Sequence, residues 1–592
     1  MIRIFHASEG VSLMEVMRRE GTALNAPCGG NHSCGKCRVK ILAGANIPVT
    51  EEEKRLLSEE ELKEGWRLAC SVYGPGEWTV EVPEQDKGAR VMTDGGSADG
   101  TKLDPASRTA CIRIEKPTLE DARADGERLG QYRLSLDEMR KLPRLIRENE
   151  RLYVYELRRQ TKDYCESIVS AEEIGNLGVA VDVGTTTMAA YLIDLQTGEQ
   201  LGCASEMNPQ RSFGGDVISR ADYACESVEN QRRLQTLVVS AIESMTRRML
   251  KECGRDKKDV RHIYCVGNTI MMHLLAGLET GYITKSPFTP VYKYGFTVRA
   301  NEMGMGLENA HVSLGTCVAG YVGADTLAAV LACDMLHAHE LSLMVDIGTN
   351  GEIVLGNEKG MVCCSAAAGP AFEGAHIRCG SGAQDGAIDH VKIGNGEVTF
   401  SVLGGGEAKS ICGSGLVDAI AEMIESGIID ETGRIDEDFL PEEYEDRLFE
   451  FEGNPAFSLD GKNENGVFIA QQDVREVQLA KSAIAAGIQV LMNEMGAEFD
   501  QVGKLFLAGG FGNYIDRESA VKIGLLPKEL ADRIIPVGNA AGTGARRAIK
   551  NAAQWEQADE VLPKCMRYVE LSARADFQEL FVEKMMFGEE EY

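Results

Sequence analysis

The sequence predicts a multidomain protein in which a small N-terminal α+β domain precedes a large C-terminal α/β domain. Its 592 residues are too many for one typical domain. A closely spaced set of cysteines marks the N-terminal region, and from Gly178 onward strand-like and helix-like segments alternate with glycine-rich turns. We therefore expect separately folded units at the two ends, with a linker and a small α/β middle domain between them.

The N-terminal region carries four cysteines whose spacing is typical of a metal cluster. Cys28, Cys34 and Cys37 follow a Cys-x5-Cys-x2-Cys spacing, and Cys70 follows after 32 further residues. Four thiolates in this arrangement hold two irons in a ferredoxin-type 2Fe–2S cluster. The loop is rich in glycine, which permits the tight curvature that three adjacent ligands need. The spacing is one residue longer than the plant-type Cys-x4-Cys-x2-Cys and resembles that of adrenodoxin-like ferredoxins.

Three other uses of these cysteines are less consistent with the sequence. Structural zinc sites usually pair cysteines as two Cys-x2-Cys knuckles, and only one such pair is present here. Disulfides are disfavoured by the odd total of 17 cysteines and by a chain start that reads as a strand rather than a signal peptide. A Rieske centre needs two histidines and two cysteines in paired motifs, which this region lacks, so we interpret His32 as a loop residue.

The remaining boundaries follow from composition. Residues 1–84 are predicted to form the ferredoxin-like (β-grasp) domain, with Cys70 inside a strand at 66–72 and a final strand at 78–83. Residues 85–106 are polar and glycine-rich, which predicts a flexible linker that either moves the cluster between donor and acceptor or merely joins domains. A small middle domain is expected at 107–174, with a strand at 110–114 and a helix at 136–150. Residues 175–592 form the large domain.

Charge and hydropathy exclude several classes of partner. The formal net charge is −30 at pH 7, which argues against binding to nucleic acid. No apolar run approaches 18 residues, so we expect no membrane span. These features predict a cytoplasmic protein in a reducing compartment.

Two segments of the large domain resemble each other and predict a phosphate site. Each places an aspartate at the end of an apolar strand, Asp182 in the first and Asp346, 164 residues later, in the second, and then continues through a Gly-Thr turn into another strand. Backbone N–H groups and hydroxyls in such turns suit phosphate oxygens, and the aspartates suit Mg²⁺. The turn residues predicted to bind nucleotide are Gly184, Thr185, Thr186 and Thr187 in the first hairpin and Gly348, Thr349 and Asn350 in the second.

Two more glycine-rich segments lie further along the chain. An apolar strand at 505–508 runs into Gly509, Gly510 and Gly512, which suits close approach of adenosine or an α-phosphate. A turn at 537–545 precedes a helix predicted at 546–553. The ordered set resembles the superfamily of actin, sugar kinases and heat-shock chaperone ATPases, which implies two ribonuclease H-like lobes that close around Mg-ATP. The sequence contains no Gly-x4-Gly-Lys-[Ser/Thr] motif, which disfavours a P-loop enzyme.

The whole chain resembles one family, the reductive activators of corrinoid proteins, which join an N-terminal 2Fe–2S domain to an ATPase domain of the actin and sugar kinase type. The resemblance implies ATP-driven transfer of one electron to Co(II) of a corrinoid protein in a methyltransferase system, which regenerates Co(I). Each 100 mV of unfavourable potential costs roughly 2.3 kcal/mol, so ATP hydrolysis is an adequate source of free energy. The segments that carry the resemblance are 208–210, 213–220, 267–271, 369–374, 412–416 and 473–481.

The resemblance also suggests roles for individual residues and partners. Asp182 and Asp346 are predicted to organise Mg²⁺ and water, and Glu373 and Asp216 are further catalytic candidates whose alternative is a structural hydrogen-bonding role. The expected partners are a corrinoid protein and an external electron donor, and a homodimer is compatible with this fold. Two other functions stay open: an ATP-dependent low-potential electron donor to a non-corrinoid enzyme, and a redox-sensing ATP-binding scaffold.

Overall fold

The computed structural model describes the chain outside a set of short gaps. The gaps are residues 21, 23, 25, 27–29, 31, 33, 45–46, 84–99, 131, 159–166, 174, 437–439, 511, 513 and 588–592. Cys28 therefore lies outside the described residues, as does most of the predicted linker. Within the described residues, no helix is both long enough and apolar enough to cross a bilayer.

The N-terminal domain contains four strands and three short helices. Their bounds are β1 (Ile2–Ala7), α1 (Leu13–Arg19), β2 (Arg38–Ala43), α2 (Glu51–Leu56), α3 (Glu59–Lys63), β3 (Trp66–Leu68) and β4 (Gly76–Glu81). The sheet has the order β1-β4-β2-β3, and its core is built around the buried side chains of Phe5, Met17 and Trp78. The strand predicted at 66–72 was wrong in its second half: β3 ends at Leu68, and Cys70 lies in a turn.

A buried ion pair holds this turn against the neighbouring helix. The Glu53 carboxylate accepts hydrogen bonds from Arg67 at 2.7 and 2.8 Å and from the backbone N–H of Leu68 at 3.0 Å. Glu53 also completes a capping box with Thr50 at the start of α2. Because Cys70 follows Leu68 by two residues, this carboxylate fixes the backbone that presents the cysteine.

The middle segment forms a small three-stranded sheet with one helix. Its elements are β5 (Ser107–Arg113), α4 (Leu136–Glu148), β6 (Arg151–Leu157) and β7 (Ile168–Ser170), in the sheet order β5-β6-β7. The strand and helix predicted here are confirmed to within three residues at each end. The preceding residues are fixed to the large domain, because the N–H of Asp104 donates to the Lys550 carbonyl at 3.0 Å and the Asp104 carbonyl accepts from Ala552 at 2.8 Å. The end of the predicted linker is therefore anchored.

The first lobe of the large domain is built on a six-stranded sheet. Its elements are β8 (Leu177–Val183), β9 (Thr187–Asp194), β10 (Gln200–Met207), α5 (Val217–Glu226), α6 (Val228–Glu252), β11 (Val260–Val266), α7 (Thr269–Ala276), β12 (Phe296–Arg299), β13 (His311–Leu314) and α8 (Ala324–Ala332). The sheet order is β10-β9-β8-β11-β13-β12. Strands β8, β9 and β10 form an antiparallel meander, and β11 runs parallel to β8.

The second lobe repeats this pattern with additional elements. They are β14 (Leu341–Ile347), β15 (Gly351–Asn357), β16 (Gly360–Ala366), β17 (Ala387–Gly394), β18 (Glu397–Val402), β19 (Ser410–Ile411), α9 (Gly413–Glu425), β20 (Leu448–Phe451), β21 (Asn454–Ser458), β22 (Phe468–Ala470), α10 (Gln471–Met495), β23 (Val502–Ala508), α11 (Arg517–Lys522), β24 (Ile534–Gly538), α12 (Ala540–Lys550), α13 (Ala552–Glu556), α14 (Leu562–Cys565), β25 (Met566–Tyr568) and α15 (Ala575–Glu583). The main sheet has the order β24-β23-β14-β15-β16-β25, with β14–β16 antiparallel and β23 parallel to β14. The predicted duplication is confirmed.

Helices α8 and α12 cross in direct backbone contact. A Cβ atom built on Gly544 would lie 1.9 Å from the carbonyl oxygen of Ala328, so only glycine fits at this crossing. The expectation of a turn as far as residue 545 was wrong, because α12 begins at Ala540 and includes both Gly542 and Gly544. Both glycines allow close packing from inside the helix, Gly542 against Tyr191 of β9 and Gly544 against Ala328 of α8.

Candidate functional site

Two of the four predicted cluster ligands lie side by side. Cys37 and Cys70 are each 2% exposed, and their Sγ atoms are 3.3 Å apart without forming a disulfide. Cys34 is half-buried. Gly35, between Cys34 and Cys37, has a φ of +62°, as the predicted loop curvature requires. Across the described part of the chain, no group of three or more His, Cys, Asp or Glu residues has metal-binding geometry. The Cys37–Cys70 pair thus fits two adjacent thiolate ligands, and the four-cysteine set stays a prediction.

The first phosphate hairpin joins β8 to β9 through a tight turn. Asp182 pairs with Ala189 near the end of β8, and a Cβ on Gly184 would lie 2.3 Å from the Thr187 carbonyl oxygen. Asn208 stabilises the turn with two hydrogen bonds. Its side-chain amide donates to the Gly184 carbonyl at 2.8 Å, and its backbone N–H donates to the Thr186 carbonyl at 2.9 Å.

The second hairpin joins β14 to β15 beside the glycine-rich loop after β23. Asp346 pairs with Glu352 across the hairpin, and the N–H of Gly348 donates to the Asn350 carbonyl at 3.0 Å. Gly509 has a φ of +96°, and a Cβ there would lie 2.8 Å from the Asp346 Oδ1 atom. The second and third predicted elements therefore meet at Asp346.

The remaining glycines of this loop lie next to the fourth predicted element. The N–H of Gly509 donates to the Gly538 carbonyl at 3.0 Å, and the N–H of Gly512 donates to the Gly509 carbonyl at 3.1 Å. Gly512 is buried, whereas Gly510 is exposed. All four glycine-rich segments thus lie together, because the Asn539 amide after Gly538 also donates to Asp182 at 2.9 Å. The space between them is called the cleft, and the nucleotide-binding roles of their individual residues remain predictions.

Glu373 connects the two hairpins. The Thr186 hydroxyl donates to Glu373 Oε2 at 2.6 Å, and the Thr349 hydroxyl donates to Oε1 at 2.9 Å. Glu373 lies in a 3₁₀ turn at Ala371–Glu373 and is half-buried. A single carboxylate therefore accepts from the threonine of each predicted phosphate turn, at the boundary between the two lobes.

Four carboxylates line the cleft with raised pKa values, for which burial is the first cause and the charge of Asp325 is the second for three of them. Burial, with the charge of Asp325 second, raises the pKa of Asp182 to about 7, and the Asn539 amide opposes the rise by donating to Asp182 Oδ2 at 2.9 Å. Burial and the charges of Asp325 and Asp182 raise the pKa of Asp346 to about 7. Burial raises the pKa of Asp325 to about 6, and burial beside Asp325 and Asp346 raises that of Glu352 well above its usual value. This crowded negative charge suits a divalent cation.

Asp216 makes hydrogen bonds within its own helix start. Its Oδ1 accepts from the N–H groups of Ile218 and Ser219 at 2.8 and 2.9 Å, which caps α5. Its Oδ2 accepts from the Ser219 hydroxyl at 2.5 Å. The geometry therefore favours the hydrogen-bonding alternative for Asp216 over catalysis.

Sequence reasoning missed four residues that the fold brings to the cleft: Asn208, Asp325, Glu352 and Asn539. Asn208, Glu352 and Asn539 lie in segments that the sequence analysis had identified, so the signal was available but no role was assigned to these residues. Asp325 follows Gly323 at the start of α8 and has no local motif. It joins the site only because β13 pairs with β11, the strand beside β8, and because the N–H of Ala324 at the start of α8 donates to the Gly267 carbonyl after β11 at 2.9 Å.

Comparisons with known proteins agree with this architecture. Residues 2–73 match the family of 2Fe-2S iron-sulfur cluster binding domains. Residues 177–338 match the family described as the RACo middle region, and residues 340–592 match the C-terminal domain of RACo, the ASKHA domain. The fold and site thus define an ATPase domain of the actin and hexokinase type joined to a 2Fe–2S domain.

Full-length relatives share the same arrangement. The corrinoid activation enzyme RamQ of Eubacterium limosum is 31% identical over 96% of this chain and 95% of its own length. A Methanosarcina barkeri protein named [Co(II) methylated amine-specific corrinoid protein] reductase is 28% identical over 65% of this chain and 72% of its own. The solved structure of a reductive activator for corrinoid, iron-sulfur protein is 31% identical with a TM-score of 0.72, covering 98% of this chain and 96% of that one. The chain belongs to the family of reductive activators of corrinoid proteins.

Proposed function

We propose that this protein uses ATP hydrolysis to reduce the cobalt of a corrinoid protein from Co(II) to Co(I). The observation that carries the proposal is that Glu373 accepts hydrogen bonds from both Thr186 and Thr349, which joins the two predicted phosphate turns. The same chain holds the buried pair Cys37 and Cys70, which suits an iron–sulfur cluster. One electron enters from an external one-electron reductant and one electron leaves to cobalt, while ATP and water become ADP and phosphate.

The nucleotide site is proposed to bind Mg-ATP through the two hairpins. Asp182 and Asp346 would hold Mg²⁺ directly or through water, because burial and neighbouring carboxylates raise the pKa of each and a divalent cation would offset this negative charge. The hydroxyls of Thr186 and Thr349 suit phosphate oxygens. Glu373, which accepts from both hydroxyls, is placed to orient water at the same point.

The electron-carrying site is proposed to use Cys28, Cys34, Cys37 and Cys70 as ligands. A 2Fe–2S cluster supplies one-electron redox chemistry when bound. The residues of this domain position it: Glu53 fixes the backbone before Cys70, and the N–H of Ala69 donates to the Cys37 carbonyl at 2.9 Å, which holds the two ligand segments together.

The direct test mixes reduced protein with a Co(II) corrinoid protein and follows Co(I) absorbance with and without Mg-ATP. We expect Co(I) to appear only with Mg-ATP, together with phosphate release. The Asp346→Asn variant should keep the visible spectrum of the cluster and lose the ATP-dependent rise. Absence of an ATP-dependent rise with every corrinoid protein tried, despite an intact cluster spectrum, would refute the proposal.

A further inference from the structure

The N-terminal domain contacts both lobes of the nucleotide domain. In each lobe, the contacting residues are only a few positions along the chain from a residue that bonds a phosphate turn. In the first lobe, Asn208 bonds the phosphate turn through Gly184 and Thr186 and also caps a 3₁₀ turn at Pro209–Phe213. The next residues of that turn reach the N-terminal domain, since the Ser212 hydroxyl donates to the Leu24 carbonyl at 3.3 Å. Six residues thus span the distance from the phosphate turn to the cluster domain.

Phe213 is the centre of this contact. Two guanidinium groups lie over its ring, that of Arg18 from α1 at 5.2 Å from the ring centroid and that of Arg233 from α6 at 5.0 Å. Arg233 also donates to the Arg18 carbonyl. Phe213 is 5% exposed and Arg18 is 6% exposed, so water is excluded from the stack. The contact is specific, because it combines ring stacking with a main-chain hydrogen bond.

In the second lobe, the turn that carries Glu373 continues to the cluster loop. This turn folds back tightly, because a Cβ on Gly380 would lie 2.4 Å from the Gly374 carbonyl oxygen. The Gly380 carbonyl then accepts from Lys36 Nζ at 3.4 Å. Lys36 stands between the ligand positions Cys34 and Cys37, so the cluster loop itself faces the nucleotide domain.

We propose that residues 208–213, Arg233 and residues 373–380 form a docking surface for the cluster domain, and that Mg-ATP binding releases the domain from it. The reason is competition at the cleft: phosphate oxygens that take the hydroxyls of Thr186 and Thr349 remove both hydrogen bonds to Glu373 and add negative charge beside its carboxylate. A shift of Glu373 moves the turn that ends at Gly380. The cluster loop then becomes accessible to a separate protein, so this inference rests on the proposed function.

Linkage makes the proposal quantitative. If Mg-ATP weakens docking of the cluster domain by a given factor, then docking weakens Mg-ATP binding by the same factor. A variant that no longer docks should therefore bind Mg-ATP more tightly by up to that factor. Arg233→Ala removes one guanidinium of the stack and one hydrogen bond without touching the cleft. Arg232→Ala, one residue earlier on the exposed face of α6, is the matched control.

The experiment uses the full-length holoprotein with an oxidised cluster. An amine-acetylating reagent and mass spectrometry report the labelling rate of Lys36 with and without saturating Mg-ATP, with the exposed Lys63 as internal reference, and calorimetry gives the Kd for Mg-ATP. We expect Mg-ATP to raise Lys36 labelling at least about fivefold in the wild type and the Arg232→Ala variant. Arg233→Ala should label fast without nucleotide and bind Mg-ATP at least about fivefold more tightly.

The outcomes separate this inference from the proposed function. Unchanged Lys36 labelling in a wild-type protein that calorimetry shows to be saturated with Mg-ATP would overturn the inference and leave the proposed function standing. An Arg233→Ala Kd equal to that of Arg232→Ala would do the same. Failure of the wild type to bind Mg-ATP would overturn the proposed function, and the inference with it.

Discussion

The carboxylates of the cleft make the nucleotide domain less stable than its packing alone would allow, and Asp346 tests this most directly. Burial and the charges of Asp325 and Asp182 raise the pKa of Asp346 from 3.8 to about 7. A carboxyl group whose pKa is raised by folding destabilises the fold once it ionises. The penalty is absent below pH 3.8, grows as the pH rises, and is complete above about pH 7.

The size of the effect follows from the two pKa values. At pH 8 the ionised Asp346 costs at most about 4 kcal/mol, and at pH 5.5 about 2 kcal/mol. Asp346→Asn keeps the shape of the side chain and removes the charge, so it should stabilise the protein without nucleotide. For a lobe of this size, the gain at pH 8 corresponds to roughly 8 °C in Tm.

Thermal unfolding followed by intrinsic fluorescence at pH 8 and pH 5.5 measures this gain. Asp222→Asn, which neutralises an exposed carboxylate on α5, is the control. The stabilisation should fall by about half at pH 5.5, and Mg-ATP should stabilise the wild type but not Asp346→Asn. If Asp346→Asn melts no higher than Asp222→Asn at pH 8, ionisation of Asp346 does not destabilise the fold, and the reasoning from burial fails.

Three further predictions concern the cluster domain and the contact between the lobes. Cys37→Ser should weaken or abolish the visible absorbance of the cluster and leave the calorimetric Kd for Mg-ATP unchanged; an unaltered spectrum would contradict its role as a ligand. Glu53→Ala should destabilise the N-terminal domain by about 3–5 kcal/mol, because it leaves a buried arginine unpaired, whereas the exposed Glu59→Ala should not; loss of cluster absorbance on heating measures the difference. Gly544→Ala should cost about 3 kcal/mol or more in urea unfolding of the large domain, because its methyl group meets a backbone carbonyl, whereas Gly394→Ala, which has open space around it, should be nearly neutral.

Features that depend on a short stretch of chain were predictable from the sequence. Asp182 and Asp346 are followed by Gly-Thr turns between apolar strands, and both hairpins form as the spacing predicts. The cysteine spacing likewise predicted that Cys37 lies beside Cys70, because ligands of one cluster must be close in space even when they are far apart in sequence.

Features that depend on distant contacts were not predictable in this way. The start of α12 was misplaced because Gly542 and Gly544 disfavour a helix locally. Only the tertiary contacts explain these glycines, since Tyr191 approaches Gly542 and Ala328 approaches Gly544. Cys70 was assigned to a strand because Trp66–Val72 is largely apolar, whereas the chain turns there to bring Ala69 to the Cys37 carbonyl. Glu373 was a weak candidate until folding placed it between two threonines that are 163 residues apart in the sequence.

The glycine crossing of α8 and α12 has a mechanical consequence. Both helices begin at the cleft, α8 with Asp325 in its first turn and α12 after Asn539, whose amide bonds Asp182. Their positive N-terminal ends therefore lie near the charges that the cleft assembles. Where two backbones touch at Gly544 and Ala328, there are no rotamers that could change to absorb a displacement. A movement imposed on either helix at the cleft must then rotate the pair as a rigid unit, so the two lobes respond to one event together.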